Sequence, residues 1–162
     1  MSDAPRFTIR LAKEDFKFSV AHFTLLAAER AEPLHGHNYR LELEASGEGL
    51  DARGLLVDCE EAKAAVRAFC ARLDDRVLVP AESPELAVAR AGGEIEVRYG
   101  ARRYRFPADE VALLPLVNSS MELLARWAWA ELAPLFRATR VSDLAVTVAE
   151  AAGQSCRYTA SL

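Results

Sequence analysis

Two runs of alternating residues constrain this chain more than any other feature of it. In Phe16-Lys17-Phe18-Ser19-Val20-Ala21-His22, the residues Phe16, Phe18, Val20 and His22 fall on one face of an extended backbone. A second run starts at His35-Gly36-His37 and continues through Tyr39, Leu41, Leu43 and Ala45 on one face, with Arg40, Glu42 and Glu44 on the other. Such alternation specifies antiparallel strands that are apolar inside and wet outside. Both runs also carry histidine, and the chain's 3 histidines all lie between positions 22 and 37. Neutral imidazoles suit a Zn²⁺ ion that keeps one coordination position open. His35 and His37, two apart on a strand, can point at one ion with Gly36 keeping the space between them clear. The pair alone would better fit a turn with two solvated rings. His22, ending the other run, favours a three-histidine metal site.

The rest of the chain adds helices to this sheet. Phe7-Thr8-Ile9-Arg10-Leu11 alternates before a charged interruption at Lys13-Glu14-Asp15, so it and the run to His22 form one long or bulged strand. Residues 23–34 read as a loop with room for a short helical turn. Ala62, Ala65, Val66, Phe69, Cys70 and Leu73 make the buried stripe of a first helix, with Asp58 as N-cap rather than catalyst. Glu94–Tyr99 and Arg102–Phe106 alternate around Gly100-Ala101, which predicts an added β-hairpin. Its arginines fit a solvated face better than an anion site. A second helix starts near Ser119 or Ser120, where Ser119-x-x-Glu122 fits a capping box, and ends at Pro134. Leu144, Val146, Val148 and Glu150 share a strand face, and Cys156–Thr159 supplies a short last strand. The expected fold is one α+β domain spanning 1–162, an antiparallel four-stranded sheet with two helices on one face plus the inserted hairpin.

Composition narrows the function. With 51% apolar and 27% charged residues the chain can bury a core. The balance of 20 basic to 24 acidic residues, net −4, argues against nucleic-acid or anionic-membrane partners. The start, Met1–Arg6, is polar and unlike a signal peptide, and no apolar run approaches a membrane span. Cys59, Cys70 and Cys156, an odd and scattered set, fit reduced thiols in a cytoplasmic protein.

Phe18–His22 followed by Leu34-His35-Gly36-His37-Asn38-Tyr39 resembles the 6-pyruvoyl-tetrahydropterin synthase and 6-carboxytetrahydropterin synthase family. Gly54–Asp58, Leu73-Asp74-Asp75-Arg76-Val77-Leu78, Asn118–Glu122 and Val146–Glu150 follow in the family's order, leaving only about residues 81–113 unlike it. The resemblance implies the tunnelling fold and a ring, commonly a hexamer, with sites between neighbours. It also implies zinc on His22, His35 and His37, a pterin ring gripped by Glu150 with Ser120 as a further substrate contact, and Asp74 as a catalytic residue. Three positions depart from the pattern, one of them Val79, where the family usually has an asparagine. Ala31 stands where the family has a cysteine, and Asp75 stands where it has a histidine. A branch of the family uses Glu-x-x-His-Gly-His instead and converts dihydroneopterin triphosphate to 6-hydroxymethyl-dihydropterin, and Glu32-Pro33-Leu34-His35-Gly36-His37 matches that pattern. The resemblance therefore leaves two readings: a zinc-dependent pterin lyase or aldolase with Glu32 as base, or a pterin-binding homologue that has lost the reaction.

Overall fold

The computed structural model describes residues 5–162; residues 1–4, on which most of the reading of a polar start rests, lie outside the described residues. The elements are β1 (Arg6–Leu11), β2 (Lys17–His22), β3 (Leu25–Ala27), β4 (Arg30–Ala31), β5 (His35–Glu48), α1 (Cys59–Leu73), β6 (Arg76–Pro80), β7 (Ala87–Ala91), β8 (Glu94–Tyr99), β9 (Arg102–Pro107), β10 (Val111–Leu114), α2 (Met121–Leu132), β11 (Val141–Ala151) and β12 (Gln154–Ser161).

The expected antiparallel sheet is built around β5. It pairs with β11 on one side, which pairs with β12, and with β1 and β2 on the other. Leu11 pairs with Leu43 and Lys17 with Arg40, so residues 12–16 face only 41–42 and the two N-terminal strands behave as one bulged strand along β5. The sheet extends further than expected, because β6 runs parallel to β2 and β10 parallel to β6. Val77-Leu78-Val79 and Ala112-Leu113-Leu114 are short apolar runs without alternation, which periodicity alone does not assign.

The core lies between this sheet and the two helices. Tyr39, Leu41, Leu43, Leu144, Val146 and Val148 are buried against α1 and α2, and Phe18 stacks on Tyr39 with ring centroids 5.3 Å apart. The Asp58 carboxylate caps α1 by accepting from the Glu60 amide at 2.8 Å, as expected. The cap of α2 falls one residue later than the expected box: Ser120 Oγ accepts from the Leu123 amide, and Ser119 turns inward and is buried. At the far end of α1 the Asp74 carboxylate accepts the Ser19 amide at 2.7 Å, and the Asp75 amide donates to the Ser19 carbonyl at 2.8 Å. These two bonds fasten the helix to β2.

Two further segments differ from expectation. Residues 23–34 form the hairpin β3–β4 rather than a loop or helical turn. The Ala-rich sequence favours helix locally, but Glu29 takes a left-handed φ of 65° and the hairpin packs on the inserted segment. That segment is a three-stranded sheet, β7–β8–β9, rather than a hairpin alone. Its inner face, Ile95, Val97 and Tyr99, forms a second small core with Phe23, Ala31 and Val79. On its outer face Arg98 pairs with Glu96, and Arg105 lies 3.6 Å from Glu94 and 3.5 Å from Glu96. The solvated-face reading thus holds for these two arginines.

Candidate functional site

The register of β2 against β5 places His22 opposite His35, with Val20 opposite His37. Gly36 pairs with Ala21, and a Cβ there would come within 3.2 Å of the Val20 carbonyl, so glycine permits this close pairing. The three imidazoles converge: one ligand atom from each of His22, His35 and His37 lies within 4.8 Å of the others.

The outward ring nitrogens of His22 and His35 are occupied in a way that frees their inward ones. His35 Nδ1 donates to the Pro33 carbonyl at 2.8 Å, which leaves Nε2 as the unprotonated atom. Ser119 Oγ donates to the Phe23 carbonyl at 2.9 Å, so it accepts from His22 Nδ1 at 3.2 Å and again leaves Nε2 free. His35 Nε2 and His37 Nε2 stand 2.8 Å apart. His22 Nε2 and His35 Nε2, each with the other nitrogen of its ring bonded to an oxygen, stand close to His37 Nε2, and three imidazoles so gathered form a donor set that fits a small divalent cation. His22 is 1% exposed, and its pKa is pushed down to about 4 by burial first and then by the neighbouring His35 and His37. It is therefore neutral at pH 7, as a ligand must be.

Two carboxylates flank the cluster. Glu32 Oε2 lies 3.9 Å from His35 Nε2 and accepts from the Thr24 amide at 3.1 Å. Partial burial raises its pKa, but the Thr24 amide and the nearby His35 and His22 outweigh this and hold the carboxyl below its usual range. On the other side Glu150 Oε1 is 2.9 Å from His37 Nε2, and Tyr39 donates to Glu150 Oε2 at 3.4 Å. Glu150 shares the inward face of β11 with Val146 and Val148, at a bulge where β12 passes from Ser155, opposite Ala149, to Gln154, opposite Ala151.

The structure therefore brings together five of the seven candidate residues: His22, His35, His37, Glu32 and Glu150. Asp74 is engaged with the Ser19 backbone at the end of α1, and Ser120 Oγ is used in capping α2. Two side chains join the site that sequence reasoning did not assign to it. Tyr39 Oη stands 3.2 Å from His22 Nε2 while reaching Glu150, and burial, then the Glu150 charge, push its hydroxyl pKa upward. Its parity with His35 and His37 was the available signal. Ser119, read as a helix cap, had no comparable signal, because only the turn of the chain before α2 aims it at His22.

The family described as "6-pyruvoyl tetrahydropterin synthase" matches residues 10–161 of this chain. A Methanocaldococcus jannaschii protein provisionally named 6-carboxy-5,6,7,8-tetrahydropterin synthase is 24% identical over 145 residues, 88% of each chain. A Pyrococcus horikoshii protein of the same provisional name is 30% identical over 112 residues, 68% of this chain and 66% of that one. Among solved structures, 6-pyruvoyl tetrahydropterin synthase from Plasmodium vivax superposes with a TM-score of 0.91 at 24% identity, over 98% of this chain and 99% of its own. Segment 81–113, read from the sequence as departing from the family, thus has a counterpart in that structure. Variants of the Plasmodium vivax protein in which a catalytic glutamate is replaced by alanine or cysteine superpose with a TM-score of 0.88.

Proposed function

Because the chain belongs to the 6-pyruvoyl tetrahydropterin synthase family, we propose that it is a zinc-dependent enzyme acting on a dihydroneopterin-type substrate with Glu32 as its base. One observation carries the reading: three imidazole nitrogens converge between Glu32 on one side and Glu150 on the other. His22, His35 and His37 would hold the ion, and zinc bound there would polarise substrate side-chain oxygens and acidify the adjacent C–H bonds.

The chain's own residues divide the remaining work. Glu32 is ionised at neutral pH, since its carboxyl lies below the usual carboxylate range, and an ionised carboxylate is what a base requires. It can take a proton from the substrate side chain at Oε1, since Oε2 is held by Thr24. Glu150 offers two acceptor oxygens to the adjacent ring N–H and amino donors of a pterin, a bidentate match that fixes the ring's orientation. Tyr39 holds one of those oxygens in place. Ser120, at the start of α2 beside Ser119, is the second pterin contact that the family resemblance implies. Asp74 serves the site by fixing β2 through the Ser19 amide, two residues from Ala21 and three from His22.

Ala31 and Asp75 favour Glu32 chemistry over pyruvoyl or carboxy synthesis. Ala31 carries no titratable group, and Asp75 offers no imidazole to partner a thiolate. The catalytic glutamate of the Plasmodium vivax protein supports the same assignment of residue type. The test is turnover of dihydroneopterin triphosphate by zinc-loaded protein, with products separated chromatographically. The expected product is 6-hydroxymethyl-dihydropterin. Tight pterin binding without turnover would replace the enzyme with a binding homologue, and abundant 6-pyruvoyl product would overturn the weight given to Ala31.

A further inference from the structure

The inserted sheet reaches the site at one residue. Arg102, at the start of β9, donates from one terminal nitrogen to the Glu32 carbonyl at 2.6 Å and from the other to the Ala31 carbonyl at 3.0 Å. Arg98 and Arg105 on the same sheet meet carboxylates, whereas Arg102 has no carboxylate within 4.0 Å among the described residues. A guanidinium with two planar donors fits consecutive carbonyls as a fork, and its positive charge strengthens both bonds.

The hairpin it grips is held from several directions. The Tyr99 hydroxyl donates to the Ala27 carbonyl at 3.1 Å, and Tyr104 stacks on Phe23 with centroids 5.3 Å apart. From the α2 side, Asn118 donates to the Leu25 carbonyl at 2.8 Å and accepts the Leu25 amide at 3.0 Å. Between these holds, Glu32 is tied to Thr24 twice, since its amide donates to the Thr24 carbonyl at 3.0 Å and its carboxylate accepts the Thr24 amide. Arg102 is the one of these side chains that bonds to the backbone of Glu32 itself.

We infer that Arg102 is a positioning residue for Glu32: it fixes the backbone from which the carboxylate reaches toward His35. The inference rests on the reading of Glu32 as base. It gives the inserted sheet a role in the reaction although the sheet supplies no group that touches substrate.

The test compares Arg102→Met, Arg102→Lys, Glu32→Gln and the Arg102→Met, Glu32→Gln double variant, all zinc-loaded, with dihydroneopterin triphosphate as substrate and neopterin as binding probe. Methionine keeps the apolar stem and removes the donors. A displacement on the order of 1 Å costs up to about 100-fold in rate, so Arg102→Met should lower kcat about 10- to 100-fold and leave neopterin affinity within about twofold. Arg102→Lys should recover part of the loss. In the Glu32→Gln background the same substitution should change kcat less than about twofold, because the group being positioned is already gone. Amide hydrogen exchange at Thr24 and Glu32 should quicken in Arg102→Met, which reports the loosened hairpin without reference to turnover. Equal losses in both backgrounds, unchanged exchange, or a parallel loss of neopterin affinity would each overturn the inference while leaving Glu32 as base. Full turnover in Glu32→Gln alone would instead remove the base reading, and the inference with it.

Discussion

His22 is the residue through which the metal-free site answers to pH. Its folded pKa is about 4 against an ordinary 6.5, with burial as the first cause and the other two imidazoles next. Above about pH 6.5 neither folded nor unfolded chain carries this proton. As pH falls from there toward about 4, the unfolded chain takes it up and the folded one resists, so stability is lost across that window, by on the order of 3 kcal/mol in total. Urea midpoints for metal-free protein at about pH 7.5 and about pH 4.5 should differ more in wild type than in His22→Gln; equal differences would show that His22 does not govern the window. The side chains behind the ligands make a second prediction. Outer partners of metal-bound histidines typically affect affinity 10- to 100-fold, so Ser119→Ala should weaken zinc binding by about that factor in a chelator competition, whereas Ser120→Ala should not. Identical zinc affinity in Ser119→Ala and wild type would remove Ser119 from the site. The two carboxylates separate by role: Glu32→Gln should lower kcat by about 10²- to 10⁴-fold with pterin affinity nearly intact, and Glu150→Ala should weaken pterin binding first. The reverse pattern would exchange their assignments.

Among the elements, α1 and β5 show how local sequence becomes site geometry. The helix begins where Asp58 satisfies the Glu60 amide and ends where Asp74 and Asp75 bond to Ser19 of β2. Asp75 takes a left-handed φ of 56°, which an aspartate tolerates better than most side chains, so the chain turns at once into β6. Loss of the cap in Asp58→Ala should cost about 1 kcal/mol and lower the Tm by about 2–4 °C, with zinc stoichiometry unchanged. A fall in metal content at full fold would show that α1 supports the ligands more directly than its position suggests. Strand β5 carries His35 and His37 at one end and a buried apolar stripe, Tyr39 to Ala45, along the same face. The packing that fixes this stripe therefore also fixes the direction of both imidazoles.

At the scale of the whole molecule, the sheet ends in β10 and β12, and among the described residues each of these and β1 pairs along one side only. Exposed edges invite pairing with further copies, and closure into a ring removes them. Edges of this kind motivate the proposal of a ring-forming assembly, and the family resemblance, not the edges, makes a hexamer its expected size; light scattering at micromolar concentration should then report a mass several times the 17.8 kDa of one chain. A stable monomer that still turns over substrate would show that the site needs no neighbour. No helix among the described residues is long and apolar enough to cross a membrane.

Resemblance to the family grouped Glu32 and Glu150 with the three histidines, whereas the sequence by itself determined the faces of the strands, the stripe of α1 and the Asp58 cap. Each follows from short-range rules, the period of two in a strand, the period of 3.6 in a helix, and the unpaired amides at a helix start. Only the tertiary structure decided the rest. Residues 23–34 became a hairpin because the inserted sheet and Asn118 hold them so, against their Ala-rich helical tendency. The strands β6 and β10 have partners far along the chain and no alternation to announce them, and β7, although it pairs with its neighbour β8, lacks alternation too. Ser119 and Tyr39 joined the site, and Arg102 came to the Glu32 carbonyl, through contacts across 97, 17 and 70 positions of sequence. Hydrogen bonds over such separations depend on how whole elements pack, which no local pattern of residues encodes.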